Sequence, residues 1–194
     1  VIEDVCDWQP PEGGPVMRDY RRITVSAPDA ETRFLDFAVV WVALDEVRIR
    51  KTNHSLFALR IHPALSGQQG GTLVNAAGDS GQAQTLKKQS PWMDYHGARE
   101  GRVEGAAILT HPENRWHPSP WLTRDYGFFS PTPMLWLDGG EMTLEKGEAV
   151  KLAYRVVVHA GDEEEAEINR LWGEFARSRP LFSSAWMKTA LEEL

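Results

Sequence analysis

The alternation of apolar and polar positions along this chain changes period once. Up to Gly161 it runs mostly at two residues, and beyond Gly161 at three and four. The strongest early run is Thr32 to Leu44, which is apolar at every position from Phe37 onward. A strand of that kind is covered on both faces, as in the middle of a sandwich. Glu46 to Lys51 sets Val47 and Ile49 against Arg48 and Arg50. Leu56 to His62 turns Phe57, Leu59 and Ile61 inward, so Arg60 and His62 share the opposite face, the side expected to carry a binding surface. Arg21–Ser26, Val103–His111, Tyr126–Phe129, Met134–Leu137, Met142–Glu145 and Ala149–His159 complete the strands, with glycines punctuating the turns between them. The pattern predicts an all-β, antiparallel sandwich.

After Gly161, Asp162 and Glu165 form a capping-box-like start, and Ile168, Leu171, Trp172 and Phe175 follow at helical spacing. Pro180 ends that helix, and Ser183 or Ser184 can cap a second one carrying Trp186, Met187, Ala190, Leu191 and Leu194. The expected organisation is a β-sandwich domain over residues 1–161 with helices of residues 162–194 packed on it. Helices are expected only in that last part.

Charge and composition narrow the partners. The chain has 194 residues, 21 Lys+Arg against 28 Asp+Glu and a net charge of −7, with no basic stripe. That argues against nucleic acid. The longest nearly uncharged apolar run, Phe37 to Leu44, is too short to span a membrane. A single cysteine, Cys6, leaves no internal disulfide framework. The residues after Val1 do not read as a leader peptide, and the sequence leaves compartment and oligomeric state open. Nucleotide-binding glycine motifs are absent, and no cofactor is expected. Eight tryptophans are many for this length and give the first hint of function.

The densest chemistry lies between His111 and Gly127. It includes His111, Asn114, His117, Trp121, Arg124 and Tyr126, with three prolines that stiffen the backbone. Indole faces beside Asn, Arg and His suit a sugar, whose C–H face stacks while its hydroxyls take planar donors and acceptors. The same residues equally describe a proline-stiffened crossover whose polar groups satisfy its own backbone. Two smaller clusters are Thr52-Asn53-His54-Ser55, ahead of Arg60, and Trp92-Met93-Asp94-Tyr95-His96-Gly97, ahead of Glu104. His111 and His117 are separated too loosely for a recognisable metal motif, so a metal centre is expected only if His54, His96 and His111 converge in space.

Several long stretches resemble one bacterial family. They are Lys51–Phe57, Gly70–Asn75, Trp92–Tyr95, Glu104–Ile108, His111-Pro112 with Asn114, Pro118–Trp121, Arg124–Phe129 and Tyr154–His159. The family is of unknown function, is carried under the label "methane oxygenase-like", and is common in bacteria that degrade polysaccharides. The resemblance implies a galactose-mutarotase-like supersandwich or part of one. It also implies that this chain corresponds to the C-terminal two-thirds of longer members, whose N-terminal portion holds a His-His-x-Gly type stretch.

The expected function is that of a carbohydrate-active protein. In an enzyme of the epimerase or lyase type acting on a sugar or uronate, His111 and His117 would be acid–base groups, with Arg124 and Tyr126 assisting. His54, Arg60, His96, Glu104, Asn114 and Trp121 would bind substrate. The alternatives are a non-catalytic sugar-binding accessory module and a His-ligated metal-dependent oxidase or hydrolase. The segment from His111 to Tyr126 is further expected to wall the principal pocket, with His111 and Arg124 contributing side chains.

Overall fold

A computed structural model describes residues 1–52, 57–132, 137–179 and 185–192. Its centre is a seven-stranded, fully antiparallel sheet in the order β1-β2-β3-β12-β8-β7-β6. The strands are β1 (Ile2–Trp8), β2 (Met17–Ser26), β3 (Arg33–Ala43), β6 (Thr72–Asn75), β7 (Trp92–Arg99), β8 (Arg102–Thr110) and β12 (Ala149–Ala160). Two small sheets lie over one face: β5 (Leu59–Arg60), β10 (Phe128–Pro131) and β9 (Trp121–Arg124) in one, β11 (Glu141–Leu144) and β4 (Val47–Arg50) in the other. The helices α2 (Ile168–Arg177) and α3 (Ala185–Glu192) cover the opposite face.

The reason for three layers is visible in β3. Its residues from Ala38 to Ala43 are all buried, as the unbroken apolar run requires. Val39 and Trp41 point with Ile108, Leu152 and Tyr154 into a core closed by Trp121, Phe129 and Leu144 of the small sheets. Ala38, Val40 and Val42 point the other way with Ala107, Leu109 and Val157, beneath Ile168, Leu171, Phe175 and Met187. Period-two alternation thus feeds two cores from one strand.

The fold expected from the pattern is the one observed, an antiparallel all-β sandwich with helices at the C-terminal end. Two details differ. A five-residue helix, α1 (Gly81–Thr85), precedes Gly161; it is a single turn, too short to leave a periodic signature. The capping box at Asp162 forms, with Asp162 Oδ1 accepting from the Glu164 and Glu165 amides and Glu165 Oε2 accepting from the Asp162 amide. It closes a turn, however, and not α2, which begins at Ile168 after Glu167 takes a left-handed conformation. The strand expected at Met134–Leu137, the Ser183 and Ser184 caps and Leu194 fall outside the described residues, except for Leu137, and the side chains of Trp186, Ala190 and Leu191 are likewise not described.

Ile108 is fully buried where β8 meets both neighbours, whereas Val158 on adjacent β12 is 43% exposed. Ile108→Ala is expected to lower unfolding stability by about 2–5 kcal/mol, against less than about 0.5 kcal/mol for Val158→Ala, read from urea denaturation midpoints.

Candidate functional site

The segment from His111 to Tyr126 is largely built into the packing. His111 is buried; its Nδ1 accepts from the Glu113 amide at 3.2 Å, so the opposite nitrogen donates to the Ser178 carbonyl at 3.2 Å, and the ring meets Phe175 edge-on. Asn114, also buried, clamps β12: its amide donates to the Ala153 carbonyl at 2.9 Å and its carbonyl accepts from the Ala153 amide at 2.6 Å. Trp121 is fully buried and donates from Nε1 to the Ser90 carbonyl at 2.9 Å.

His117 is half-buried and stacks on Trp172. The one hydrogen of the Thr110 hydroxyl goes to the Pro91 carbonyl, so His117 Nδ1 donates to Thr110 Oγ1 and its Nε2 carries the lone pair. Burial, with His111 nearby, holds the imidazole of His117 below its ordinary pKa and keeps it neutral. Arg124 is half-buried and donates to the Thr123 carbonyl. Four clefts on the described surface take no wall from residues 111–126.

One of those clefts, of about 470 Å³, gathers Arg60 and Glu104 with His62, Arg99 and Arg102 over a floor that includes Leu59, Ile61, Leu65 and Val158. It lies between β5, the turn that follows it and the β7–β8 hairpin. Arg60 and His62 therefore line the same cleft. Arg99 is paired with Glu104, and the Arg60 guanidinium sits 5.1 Å above the ring of Tyr126. Gly127 lets that arrangement close, because a Cβ there would stand 2.9 Å from Ile61 Cγ1 and its φ is +94°. Arg124 and Arg60 both stand opposite Phe128 on neighbouring strands, which places Arg124 beside the cleft but not in it.

His96 belongs to a different cluster, on the helix-covered face. Asp94, fully buried, accepts from His96 Nδ1 and from His159 Nε2, each at 2.7 Å. Glu163, from the turn after β12, brings a carboxylate oxygen to 3.4 Å from His96 Nδ1. Gly105, on the strand between β7 and β12, makes room: a Cβ there would lie 2.7 Å from His159 Cε1 and 2.8 Å from His96 Cβ. Burial alone would raise the Asp94 pKa, but the hydrogen bonds from His159 and His96 outweigh it and hold the carboxyl below its usual range. For His96, burial pulls the pKa down and the bond to Asp94, with Glu163 and Asp162 nearby, more than restores it. Asp94 lies within the Trp92–Gly97 cluster that the sequence offers, whereas nothing in the sequence pattern points to the side chains of His159 and Glu163. The signal was present as Asp94-x-His96, which puts both on one face once the stretch is a strand.

His96 and His111 do not converge. His96 is paired with Gly105, and His111 lies six residues further along, about 20 Å at ~3.4 Å per residue. His54 falls outside the described residues.

A third feature was also missed. A cleft of about 530 Å³ on the face of β1–β3 is lined by Trp8, Phe37 and Trp41 and by Asp19, which is buried, with Oδ2 on Arg21 and Oδ1 without a hydrogen-bond partner among the described residues.

Residues 1–173 match the model of a family of unknown function, DUF6807, and the chain belongs to that family. No curated protein and no solved structure matches it. No helix among the described residues is long and apolar enough to cross a membrane.

Two substitutions test the local accounts. Asn114→Ala strands the buried Ala153 amide and leaves the Ala153 carbonyl with the His111 N–H alone, and is expected to cost about 1–3 kcal/mol in urea unfolding. Gly105→Ala is expected to cost about 1–3 kcal/mol through the imidazole clash, whereas Gly14→Ala, where a Cβ meets nothing within 4 Å, should leave the thermal midpoint unmoved.

Proposed function

We propose that this protein binds a saccharide bearing a carboxylate, of the uronate class, in the cleft between β5 and the β7–β8 hairpin. The observation that carries the reading is the make-up of that cleft. Three arginines and two histidines, His62 and His159, stand round an aliphatic floor, against only Glu31 and Glu104, in a chain of net charge −7. A sugar acid offers the complement: a planar carboxylate for a guanidinium fork and C–H faces for Leu59, Ile61 and Val158. Arg102 is exposed and makes no ion pair among the described residues, so its fork is open to a ligand carboxylate. A saccharide ligand also suits the polysaccharide-degrading bacteria in which the resembled family is common.

Recognition is the core of the reading, and epimerase- or lyase-type proton transfer is its narrower form. His62 accepts the Ala64 amide on Nδ1 at 3.2 Å, so its neutral ring presents Nε2–H, and Tyr126 presents a phenol. Both act as donors in that state. This favours the accessory, binding role over abstraction of a proton from the sugar.

The test is calorimetric titration with galacturonate and glucuronate oligomers beside neutral oligosaccharides of equal length. Arg60→Ala and Arg102→Ala should each weaken uronate binding about 10–100-fold, the value of ~1.5–3 kcal/mol for a charge-assisted contact. Their urea midpoints should shift by less than about 0.5 kcal/mol, because both side chains are exposed. Equal affinity for neutral and acidic sugars, or a loss in Trp8→Ala with none in Arg102→Ala, would move the ligand to the β1–β3 cleft and end the uronate reading. Release of an unsaturated or epimerised product would establish the catalytic form.

A further inference from the structure

We infer that Asp94, His96 and Glu163 form a binding site for a divalent transition-metal ion of the zinc class, separate from the arginine cleft and independent of the sugar reading. The three donor atoms, one from each residue, lie within 4.8 Å of one another. Ligands about 2.0–2.2 Å from a common ion stand ~3.3–3.5 Å apart in a tetrahedron. The separation of 3.4 Å between His96 Nδ1 and the Glu163 oxygen already has that value, and the Asp94 contact of 2.7 Å needs to open by several tenths of an ångström.

Hydrogen bonding by itself leaves this arrangement short of a partner. His96 Nδ1 carries at most one hydrogen, and it goes to Asp94. The Glu163 oxygen is aimed at the same nitrogen without a hydrogen bond of its own to it. A cation at the centre, taking the place of the Nδ1 proton, which passes to solvent, would satisfy both carboxylates and the nitrogen lone pair together. One imidazole and two carboxylates are a donor set suited to zinc and its borderline neighbours.

The surroundings are those of a prepared site. The second oxygen of Asp94 is held by His159 at 2.7 Å, which orients the carboxylate as an outer-shell partner does. Glu163 is carried on the turn closed by the Asp162–Glu165 capping box, so its position is fixed before any ion arrives. The Asp94 side chain is fully buried, while those of His96 and Glu163 are 12% and 23% exposed, which gives solvent and ion a way in from one side. Glu163 is also shared with a cleft of about 430 Å³ that includes Trp92, Asn75 and Asn169, so a molecule held there would stand next to the ion's open position.

The experiment is titration of chelator-stripped protein with Zn²⁺, followed by calorimetry and, with Co²⁺ in its place, by the visible absorption of a low-coordinate cobalt site. One ion per chain is expected. Glu163→Gln, on a solvent-facing turn, should weaken Zn²⁺ binding at least ~10-fold, and His96→Gln should abolish the cobalt band; Arg102→Ala should alter neither. Circular dichroism establishes that each variant is folded, and Glu163→Gln keeps the test decisive if His96→Gln is not. No Zn²⁺ uptake by the parent protein, or uptake of unchanged affinity in Glu163→Gln, overturns the site. Uronate binding in Glu163→Gln should match the parent, so the fate of this inference is read separately from that of the cleft.

Discussion

The rest of the molecule depends on strands β3, β12 and β8 being apolar on both faces. Burying one face of such a ladder leaves the other against water, where each large side chain forgoes about 1.5–3 kcal/mol. Two covers are therefore needed, and the chain supplies them from different material. The β4–β11 and β5–β9–β10 sheets cover one side and α2 and α3 the other. The polar clusters gather where those covers run out. The arginine cleft opens where the floor of Ile61 and Leu65 gives way to Val103 and Val158, and the Asp94 cluster sits where the turn before α2 replaces the helix itself.

That placement also separates the two sites. Glu104 and Gly105 are neighbours on β8, and β-alternation sends one to the small-sheet side and the other to the helix side. The arginines and an aliphatic floor stand on one side of the sheet, the Asp94, His96 and Glu163 donors on the other. The backbone of β8 and β12 runs between them, and His159, which holds Asp94, is the residue common to both surroundings.

How much of this could be read from residues alone depended on how far burial followed pattern. β3 was legible because eight consecutive apolar positions have only one consistent reading, and Arg60 and His62 because strand alternation fixed their side. β7 was not, since Trp92 to His96 mixes an aspartate and a histidine into a stretch that is mostly buried, and the polarity that hid the strand comes from the very residues that make the cluster. β1 was hidden by the opposite cause: it is largely exposed, with Glu3, Asp4 and Asp7 breaking any apolar alternation. The His111–Tyr126 segment shows a limit of another kind. Composition reports which donors and acceptors a loop contains but not whether they are already spent, and Asn114 and His111 spend theirs on Ala153, Glu113 and Ser178.

The polar character of β1 has a meaning beyond its obscurity. Among the described residues it is a rim of the seven-stranded sheet, with one side of its backbone turned away from any partner strand. Ile2, Val5 and Trp8 are exposed along it, the ingredients of a sticky edge. Glu3, Asp4 and Asp7 are interleaved with them and tied back to Arg22, Arg21 and Arg18 of β2, and those guanidiniums cross-brace the outermost pair of strands. The same ion pairs that stitch β1 to its neighbour thus set charges along the rim that discourage a second sheet from continuing the ladder, so that colloidal behaviour is written into the pairing register itself.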